Sequence, residues 1–409
     1  MEKIKNIPSL RFPEFEENWR VKKLGDVMNF KVTNSFSREN LNYENGNVKN
    51  IHYGDIHTKF QTLFDITRES VPFINEEVSI GRISDDFYCK EGDIIFADAS
   101  EDLNDVGKSI EIINLNNEKL LSGLHTLLAR PIENTFEIGF NGYLFKSNTV
   151  RLQIQKESQG SKVLSINVGR VSGIEISFPT LPEQQKIASF LTAVDNKLQA
   201  LKQKKTLLDQ YKKGVMQKIF SQELRFAADD GNDYPDWEER KVKDIFILTR
   251  GSVLSMTLVS EKQDNENYYP VYSSQTKKNG LSGYYNKFLF EDCITWTTDG
   301  AGAGDVNFRK GKFYCTNVCG VLKSDKGYAN VFIAEILNSI SRKYVSYVGN
   351  PKLMNNVMAE ISISIPLSIE EQTKIANFLS AIDDEINHCQ EQIVNTEVWK
   401  KGLLQQMFV

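Results

Sequence analysis

The sequence has few of the residues from which catalytic centres are usually built. Four histidines occur in 409 residues, and no setting for an activated Cys or Ser nucleophile is evident. Neither a Walker A phosphate loop nor an H-E-x-x-H zinc motif is present. The Asn-Pro pair at Asn350 is followed by Lys352 and lacks the second proline and the aromatic residue of an amino-methyltransferase motif. These absences predict a chain without a catalytic site of its own.

Cysteines and long apolar runs are also scarce. Five cysteines, an odd number in a large chain, favour reduced thiols over a disulfide framework. Cys315 and Cys319 have no second Cys or His pair nearby, so we expect buried strand residues there and no metal site. No apolar run approaches the ~18 residues of a membrane span, and the N-terminal residues contain no apolar signal core. We therefore expect a cytoplasmic protein with no membrane partner.

The overall composition fits a globular protein of two or three domains. Hydrophobic residues make up 40% of the chain and charged residues 25%. The formal net charge is −5, whereas a protein that binds nucleic acid alone is usually basic. If the chain binds nucleic acid, we expect a local basic face and a partner that supplies part of the phosphate contact.

A long stretch of sequence occurs twice without a gap, at 183–220 and at 371–408. Such a self-match sets the architecture of a chain, because each copy folds as one structural unit. In both copies apolar residues recur every seven positions, with a second set four residues later, as in the a/d seam of a coiled coil. The seam is interrupted at Lys205, Lys212, Thr396 and Lys400. The pattern predicts two long helices that pair; the alternative is two amphipathic helices that each pack on their own domain.

Six apolar positions in each copy mark the predicted seam. The seam residues are Ile187, Leu191, Val194, Leu198, Leu201 and Leu208 in the first copy, and Ile375, Leu379, Ile382, Ile386, Ile393 and Leu403 in the second. The first copy has eight lysines against three acidic residues, and the second has three lysines against six acidic residues. Opposite charge on two similar seams favours pairing of the two helices with each other over self-pairing.

The duplication extends beyond the helices. L-R-F occurs near the start and again at 224–226, each time followed by a proline, an acidic residue and an aromatic residue. Residues 28–180 are predicted to be mostly β, with strands at 93–97 and 123–129. Residues 246–366 repeat this plan, with strands at 293–296 and 315–322. The chain thus reads as variable domain, helix, variable domain, helix.

Two features of the variable domains could bind a ligand. The glycine-rich loop 299–305 precedes a strand-like segment, whereas the dinucleotide fingerprint opens a helix. This loop could let the backbone approach a DNA phosphate, or it could be a plain hairpin turn. Polar, basic and aromatic residues also cluster in loops, and such residues can hold phosphates and read base edges, although a solvated loop has the same composition.

The whole pattern resembles the specificity subunit of a type I restriction-modification enzyme. Two divergent domains alternate with two similar helices that open E-Q-x-K-I-A-x-F-L. L-R-F-P-x-F near the start, G-L-H-T-L-L-A-R-P at 123–131 and Y-Y-P-V-Y-S-S at 268–274 add to the resemblance. Thr373, where the first copy has Gln185, departs from the repeat without affecting the predicted fold.

The resemblance implies an α/β (α+β) fold of two β-rich target recognition domains and two helices that form an antiparallel coiled coil with pseudo-twofold symmetry. The implied segments are a first recognition domain (1–180), a spacer helix (181–223), a second recognition domain (224–367) and a second spacer helix (368–409). Each domain would read one half of a bipartite target in double-stranded DNA. The helices would dock two methyltransferase (M) subunits, and restriction (R) subunits would then join.

The candidate DNA-binding residues are the polar loop residues of the two domains. They are Lys31, Asn34, Ser35, Arg38, His52, Tyr53, Lys59, Ser161 and Lys162 in the first domain, and Arg250, Ser252, Ser274, Gln275, Lys277, Lys278, Thr298, Arg309 and Lys352 in the second. The resemblance implies that this chain binds no cofactor, and that S-adenosylmethionine, ATP and Mg²⁺ belong to the partner subunits.

Two other functions fit parts of the pattern. A coiled-coil adaptor with protein-binding β domains would have the same helices, and a gel shift at varied salt would separate the two, since phosphate contacts give a steep salt dependence. A stand-alone enzyme of nucleic-acid modification would need catalytic motifs that the sequence lacks.

Overall fold

Two long helices and two mixed sheets organise the chain, whose computed structural model describes residues 6–409. The predicted first domain, 1–180, can therefore be compared only from residue 6 onward. The described residues group into two compact units. The first unit contains 6–202 and Glu391–Val409, and the second contains Gln203–Gln390. The fold is thus mixed α/β, and each long helix has one half in each unit.

The first unit is built on a five-stranded sheet. Its outer strand on one side is parallel to its neighbour, and the other adjacent pairs are antiparallel. In spatial order the strands are Met28–Lys31, Thr126–Pro131, Ile94–Ala97, Ser109–Asn114 and Leu63–Asp65. A four-stranded sheet contains Leu120–Ser122, Lys49–Ile51, Phe73–Ile74 and Leu41–Asn42. Two strand pairs join Arg20–Lys23 to Glu175–Phe178 and Ala99–Ser100 to Leu164–Ser165.

The second unit repeats this plan with a six-stranded sheet. In spatial order its strands are Ile247–Arg250, Cys319–Lys323, Phe290–Thr297, Val306–Cys315, Tyr269–Tyr272 and Leu281–Tyr285. The first five strands have the same order and the same relative directions as the five strands of the first unit. Glu238–Lys241 pairs with Ser362–Ile365, as Arg20–Lys23 pairs with Glu175–Phe178. The duplication inferred from the helices therefore includes the sheets.

Short helices cover the sheets. In the first unit they are Leu24–Val27, Tyr53–Thr58, Phe140–Leu144, Asn148–Glu157 and Val168–Ser172, and in the second they are Val242–Ile245, Val331–Ile340 and Asn355–Ala359. The core of each unit lies between its sheet, these helices and the ends of the long helices that belong to it. All five cysteines are buried, and Cys315 and Cys319 lie at strand ends, as the sequence predicts.

The long helices are Leu181–Phe220 and Ile369–Gln406, close to the predicted bounds. In the first unit Lys400 pairs with Asp195 (2.5 Å) and Lys202 with Glu397 (2.7 Å). These contacts advance along one helix as they go back along the other, so the helix segments of this unit run antiparallel.

The same direction holds for the helix segments of the second unit. Lys212 pairs with Asp383 at 2.7 Å, and Lys204 lies 3.4 Å from Glu385. Three of these four ion pairs join a lysine of the first helix to an acidic residue of the second, which is the charge relation read from the sequence, and the pair of Lys400 with Asp195 is reversed.

A buried glutamate anchors the start of the first long helix. Glu183 is 1% exposed and accepts hydrogen bonds from Arg11 through Nε and Nη2, both at 2.7 Å, and from Trp19 Nε1 at 3.3 Å. This bidentate contact raises the pKa of Arg11. The neighbouring Gln184 donates to the carbonyl oxygen of Pro179. We call Arg11, Trp19 and Glu183 the first helix-start cluster.

The second long helix starts with the same arrangement. Glu371 is fully buried and accepts from Arg225 Nη2 at 3.1 Å and from Trp237 Nε1 at 3.1 Å. Gln372 donates to the carbonyl oxygen of Pro366. Arg225, Trp237 and Glu371 form the second helix-start cluster. The clusters explain why L-R-F and the opening E-Q repeat together, since the arginine of one binds the glutamate of the other.

Some predicted elements were wrong in detail. The predicted strand 123–129 begins only at Thr126, because His125 has a left-handed φ of 54°. The predicted strand 315–322 is two strand ends with a turn between them, since Cys315 closes one strand and Cys319 opens the next. Helices Asn148–Glu157 and Val331–Ile340 lie in regions that the sequence indicated as mostly β.

Candidate nucleic-acid interface

A polar cavity opens at one end of the six-stranded sheet in the second unit. Its volume is about 290 Å³, and its floor lies where strands Phe290–Thr297 and Val306–Cys315 meet. Asp305, Asn307 and Arg309 line it at alternate positions, as expected for one face of a strand. The cavity is lined by Gln275, Thr276, Asn279, Gly280, Thr297, Asp305, Val306, Asn307, Arg309, Asn338 and Arg342.

Arg309 is the central side chain of this cavity. It is 8% exposed, and its guanidinium stacks on the Tyr272 ring at 3.8 Å from the centroid. Its Nε donates to Thr295 Oγ1 at 3.0 Å, and its Nη2 donates to the carbonyl oxygen of Asn279 at 2.7 Å. Desolvation by burial lowers the pKa of Arg309. Among residues 6–409 the guanidinium has neutral hydrogen-bond partners and no carboxylate at ion-pair distance.

The walls of the cavity come from two loops and a helix end. Arg342 closes one side through its ion pair with Asp305, at 2.5 Å. Asn279 also lines the cavity, in a turn where it and Lys278 are two consecutive left-handed residues, with φ of 51° at each. This turn is short enough to bring the Asn279 carbonyl oxygen to Arg309, so the backbone itself holds the guanidinium.

The glycine-rich loop 299–305 is a hairpin connection between two antiparallel strands of the sheet. A side-chain carbon at Gly302 would lie 3.1 Å from Asp305 Oδ2, which is a tight contact, and at ordinary contact distance from Thr276 Cγ2 (3.4 Å) and the Ser274 carbonyl oxygen (3.5 Å). Glycine at this position therefore leaves room for the Asp305 carboxylate. The loop is therefore a hairpin turn, one of the interpretations left open by the sequence, and its approach to a DNA phosphate stays a prediction.

Three predicted residues of the second unit meet around Asp299. Thr298 is buried and donates to Asp299 Oδ2 at 2.6 Å, and Arg250 donates to Thr298 Oγ1 at 3.2 Å. Arg250 and Lys352 each lie 3.8 Å from the Asp299 carboxylate. Arg250 and Lys352 are both exposed, so this group presents two cations around one carboxylate.

The remaining predicted residues of the second unit lie on nearby loops. Ser252, Lys277 and Lys278 are exposed, and Ser274 is half-buried. Gln275 is exposed at the cavity and donates to the carbonyl oxygen of Leu281. The structure thus brings Gln275 and Arg309 together in one cavity and leaves the lysines on the surface.

In the first unit, Arg38 and Lys59 share one buried carboxylate. Arg38 binds Asp55 in a bidentate manner at 2.8 and 2.9 Å, and Lys59 lies 3.0 Å from it. The hydrogen bond to Asp55 raises the pKa of Arg38, and the hydrogen bond to Tyr43 raises the pKa of Lys59. Both cations are therefore paired and exposed at the same time, which suits contact with a phosphate oxygen at the surface.

Beside this pair, Tyr53 lies among three of the four histidines. Its ring is 4.7 Å from the ring of His52, 5.9 Å from that of His57 and 5.3 Å from that of His125. His52 is buried and accepts from the backbone N–H of Gly54 at 3.1 Å, which caps helix Tyr53–Thr58. Burial and the neighbouring Arg38 lower the pKa of His52, so it serves as a neutral cap.

The other predicted residues of the first unit are spread over its surface. Lys31 pairs with Asp86 at 2.5 Å, and Asn34 donates to Asn50 Oδ1 at 2.6 Å. Ser35 is exposed, and so are Ser161 and Lys162, which follow the end of helix Asn148–Glu157. Together these residues do not form a single site.

The predicted seam residues of the long helices are all at least half-buried. Ile187, Leu191, Val194, Ile375, Leu379, Ile382, Ile393 and Leu403 are buried, and Leu198, Leu201, Leu208 and Ile386 are half-buried. The lysines that interrupt the seam are half-buried and paired, Lys205 with Asp209, Lys212 with Glu335 and Asp383, and Lys400 with Asp195. Their charge is neutralised where they enter the apolar face.

Several residues of these sites were not predicted from the sequence. Asn279, Arg342 and Asn338 complete the cavity, Thr295 accepts a hydrogen bond from Arg309, and Asp55 organises the basic pair of the first unit. The alternation of Asp305, Asn307 and Arg309 with the apolar Val306 and Phe308 was the one available signal. Within the described residues, no cluster of acidic, His or Cys side chains could hold a metal ion, and no helix is long and apolar enough to cross a membrane.

Comparison with known proteins places these features in a family. The model of the type I restriction modification DNA specificity domain matches residues 16–210 and 234–396, which is most of the chain and includes both units. The chain belongs to this type I specificity family. The two matched segments correspond to the duplication seen in the sheets and in the helix-start clusters.

Individual members of the type I specificity family are similar over long stretches. A Mycoplasma pneumoniae protein named as a type I specificity subunit is 33% identical over 244 residues, which cover 58% of this chain and 92% of that protein. A Methanocaldococcus jannaschii protein, named as the specificity subunit of a type I restriction enzyme, is 25% identical over 98% of this chain and 95% of that protein.

Solved structures of the family share the fold. The S subunit of a type I restriction-modification system from M. genitalium superposes with a TM-score of 0.65 at 15% identity, over 98% of this chain and 99% of that chain. A second chain, from a study of complex assembly in the type I R-M system, gives a TM-score of 0.54 at 13% identity, over 94% and 96%. At these identities the likeness concerns the fold alone.

Proposed function

We propose that this chain is the DNA-recognition subunit of a type I restriction-modification complex and that each unit reads one half of a bipartite target. One observation carries the proposal. The main sheets of the two units share the order of their first five strands, but the polar loops and cavities beside the two sheets differ. Two copies of one scaffold with different polar surfaces are suited to bind two different short sequences. Membership of the specificity family supports the same conclusion.

The long helices would form an antiparallel coiled coil that sets the distance between the half-sites and docks two M subunits. The seven-residue repeat of buried positions and the lysine-acid pairs within each unit support this arrangement. A helix of the length of Leu181–Phe220 spans roughly 60 Å at about 1.5 Å per residue. A rigid helix of that length would hold the two recognition domains at a fixed distance. The DNA target would then have a spacer of fixed length and a pseudo-twofold form.

Catalysis would belong to the partner subunits. S-adenosylmethionine would bind to the M subunits, and ATP and Mg²⁺ to the R subunits, in a cytoplasmic complex. The net charge of −5 fits a subunit that shares its phosphate contacts with these partners.

Mapping of methylated bases in cells tests the proposal. Cells that express the chain with its M subunit should methylate a target of two short sequences separated by an undefined spacer. Cells with the M subunit alone are the control and should show no such motif. A continuous motif, or the same motif without this chain, would contradict the proposed function.

A further inference from the structure

The cavity around Arg309 has polar residues where the first unit has apolar core. The two sheets can be aligned through their turns. The backbone N–H of Ala97 donates to the carbonyl oxygen of Lys108, and the backbone N–H of Thr297 donates to the carbonyl oxygen of Asp305 in the same way. Counting along the strands from these matched bonds gives three pairs of equivalent positions. They are Ile95 with Thr295, Ile110 with Asn307, and Ile112 with Arg309.

The three isoleucines are buried in one apolar cluster of the first unit. The fold therefore closes this face of the sheet without polar groups, and it does so in the same chain. A buried guanidinium without a carboxylate partner loses hydration that its neutral hydrogen bonds only partly replace. The scaffold therefore does not require an arginine at position 309, and binding of a ligand would explain its presence.

We propose that this cavity receives the hydrogen-bonding edge of one nucleobase of the second half-site and that Arg309 selects that base. This assignment rests on the DNA-recognition function proposed above, and it names the residue that selects one base of the target.

Arg309 is held in a fixed orientation with donors to spare. Two of its five N–H groups bind Thr295 and Asn279, and the Tyr272 ring supports the guanidinium plane. Of the other three N–H groups, one interacts with the side-chain oxygen of Tyr272, and no further hydrogen bond of the guanidinium occurs among residues 6–409. A guanidinium fixed in this way can present two parallel donors to two acceptors on a base edge, such as O6 and N7 of guanine.

The lining favours a base over a phosphate group. Asn307 carries a donor and an acceptor, Gln275 keeps its side-chain oxygen beside its bond to Leu281, and Asn338 keeps its amide N–H groups beside its bond to Val306. This mixture suits the pattern of a base edge. Asp305 places a carboxylate in the same lining, paired to Arg342, and a carboxylate repels a phosphate. A phosphate site would instead collect cations and backbone N–H groups.

The test compares methylated motifs for complexes of the full chain with its M subunits. Arg309→Met removes the charge and the donors, whereas Arg309→Lys keeps the charge and loses the paired donors. Asn307→Ala changes the cavity wall without changing charge. Lys310→Met is the matched control, because Lys310 is the adjacent residue, is exposed and points to the other face of the strand.

Both Arg309 variants should lose discrimination at one position of the second half-site, by about 10- to 100-fold for a bidentate contact. Asn307→Ala should relax the same position, while the first half-site and the Lys310→Met motif stay unchanged. Thermal unfolding of each complex identifies any variant that fails to fold, and Arg309→Lys and Asn307→Ala then carry the test.

Two outcomes would overturn the inference. One is an unchanged motif in the folded Arg309 and Asn307 variants. The other is that Arg309→Met weakens binding equally on all DNA sequences and that Arg309→Lys restores the binding, since this result marks a phosphate contact. If the wild-type complex itself gives no bipartite motif, the proposed function fails first; if it does and the variants retain it, only this inference fails.

Discussion

The first helix-start cluster gives a direct prediction about stability. Substitution Glu183→Gln removes the negative charge that Arg11 binds at 2.7 Å through two N–H groups. The side chain of Arg11 is 10% exposed and that of Glu183 is 1% exposed, so water cannot replace the lost partner. Removing one partner of a buried ion pair costs about 3–5 kcal/mol, because the other charge stays buried.

For a unit of this size, a loss of 1 kcal/mol lowers the Tm by about 2–4 °C. Glu183→Gln should therefore lower the unfolding temperature of the first unit by roughly 6–20 °C. Differential scanning calorimetry measures this shift. Glu16→Gln, at an exposed acidic residue near the same turn, is the matched control and should change the Tm by less than about 2 °C.

A second substitution separates the ion pair from the loss of packing. Arg11→Met in the Glu183→Gln background removes the unpaired charge, and the glutamine can still accept from Trp19 Nε1. The double variant should regain part of the lost stability, since apolar replacement of both partners is often neutral. A Glu183→Gln variant as stable as the control, or a double variant less stable than both single variants combined, would refute this reasoning.

Three further predictions concern catalysis, spacing and pH. The chain purified alone should neither methylate nor cleave DNA, and methyl transfer by the isolated chain would contradict our account. Deletion of the heptad 201–207 shortens the helix by ~10 Å, which is roughly three base pairs along DNA. Methylation mapping should therefore show the same half-sites with a shorter spacer, or no binding. An unchanged spacer would contradict this prediction. Burial raises the pKa of Glu111 to about 8. The folded chain therefore keeps a proton that the unfolded chain releases, and stability of the first unit should fall as pH rises from about 5 to about 8. Thermal unfolding across this range should show a smaller decrease for Glu111→Gln, and stability that rises with pH would contradict the assignment.

The sequence allowed prediction of features that depend on local periodicity. Both long helices follow from the seven-residue repeat, and strands Ile94–Ala97 and Phe290–Thr297 follow from short apolar runs. The predictions failed where one residue changes the backbone direction. His125 adopts a left-handed conformation inside an apolar run, which moves the start of the strand to Thr126.

The site was only partly predictable because its members come from distant parts of the sequence. Arg309 was a candidate as one basic residue of a polar cluster. Its role depends on Thr295 from the neighbouring strand, on the backbone of Asn279 and on the ring of Tyr272. Only the pairing of strands brings these groups together. Similarly, the L-R-F and E-Q motifs were recognised as repeats, but the hydrogen bond between them requires the fold.

We propose that each unit reads its own half of the target. Replacement of residues 246–350 by the equivalent segment of a relative with another specificity tests it most directly, with methylated bases mapped in cells that also express the M subunit. Our account predicts that one half-site changes to that of the relative, while the other half-site stays the same. A change in both half-sites, or in neither, would contradict it.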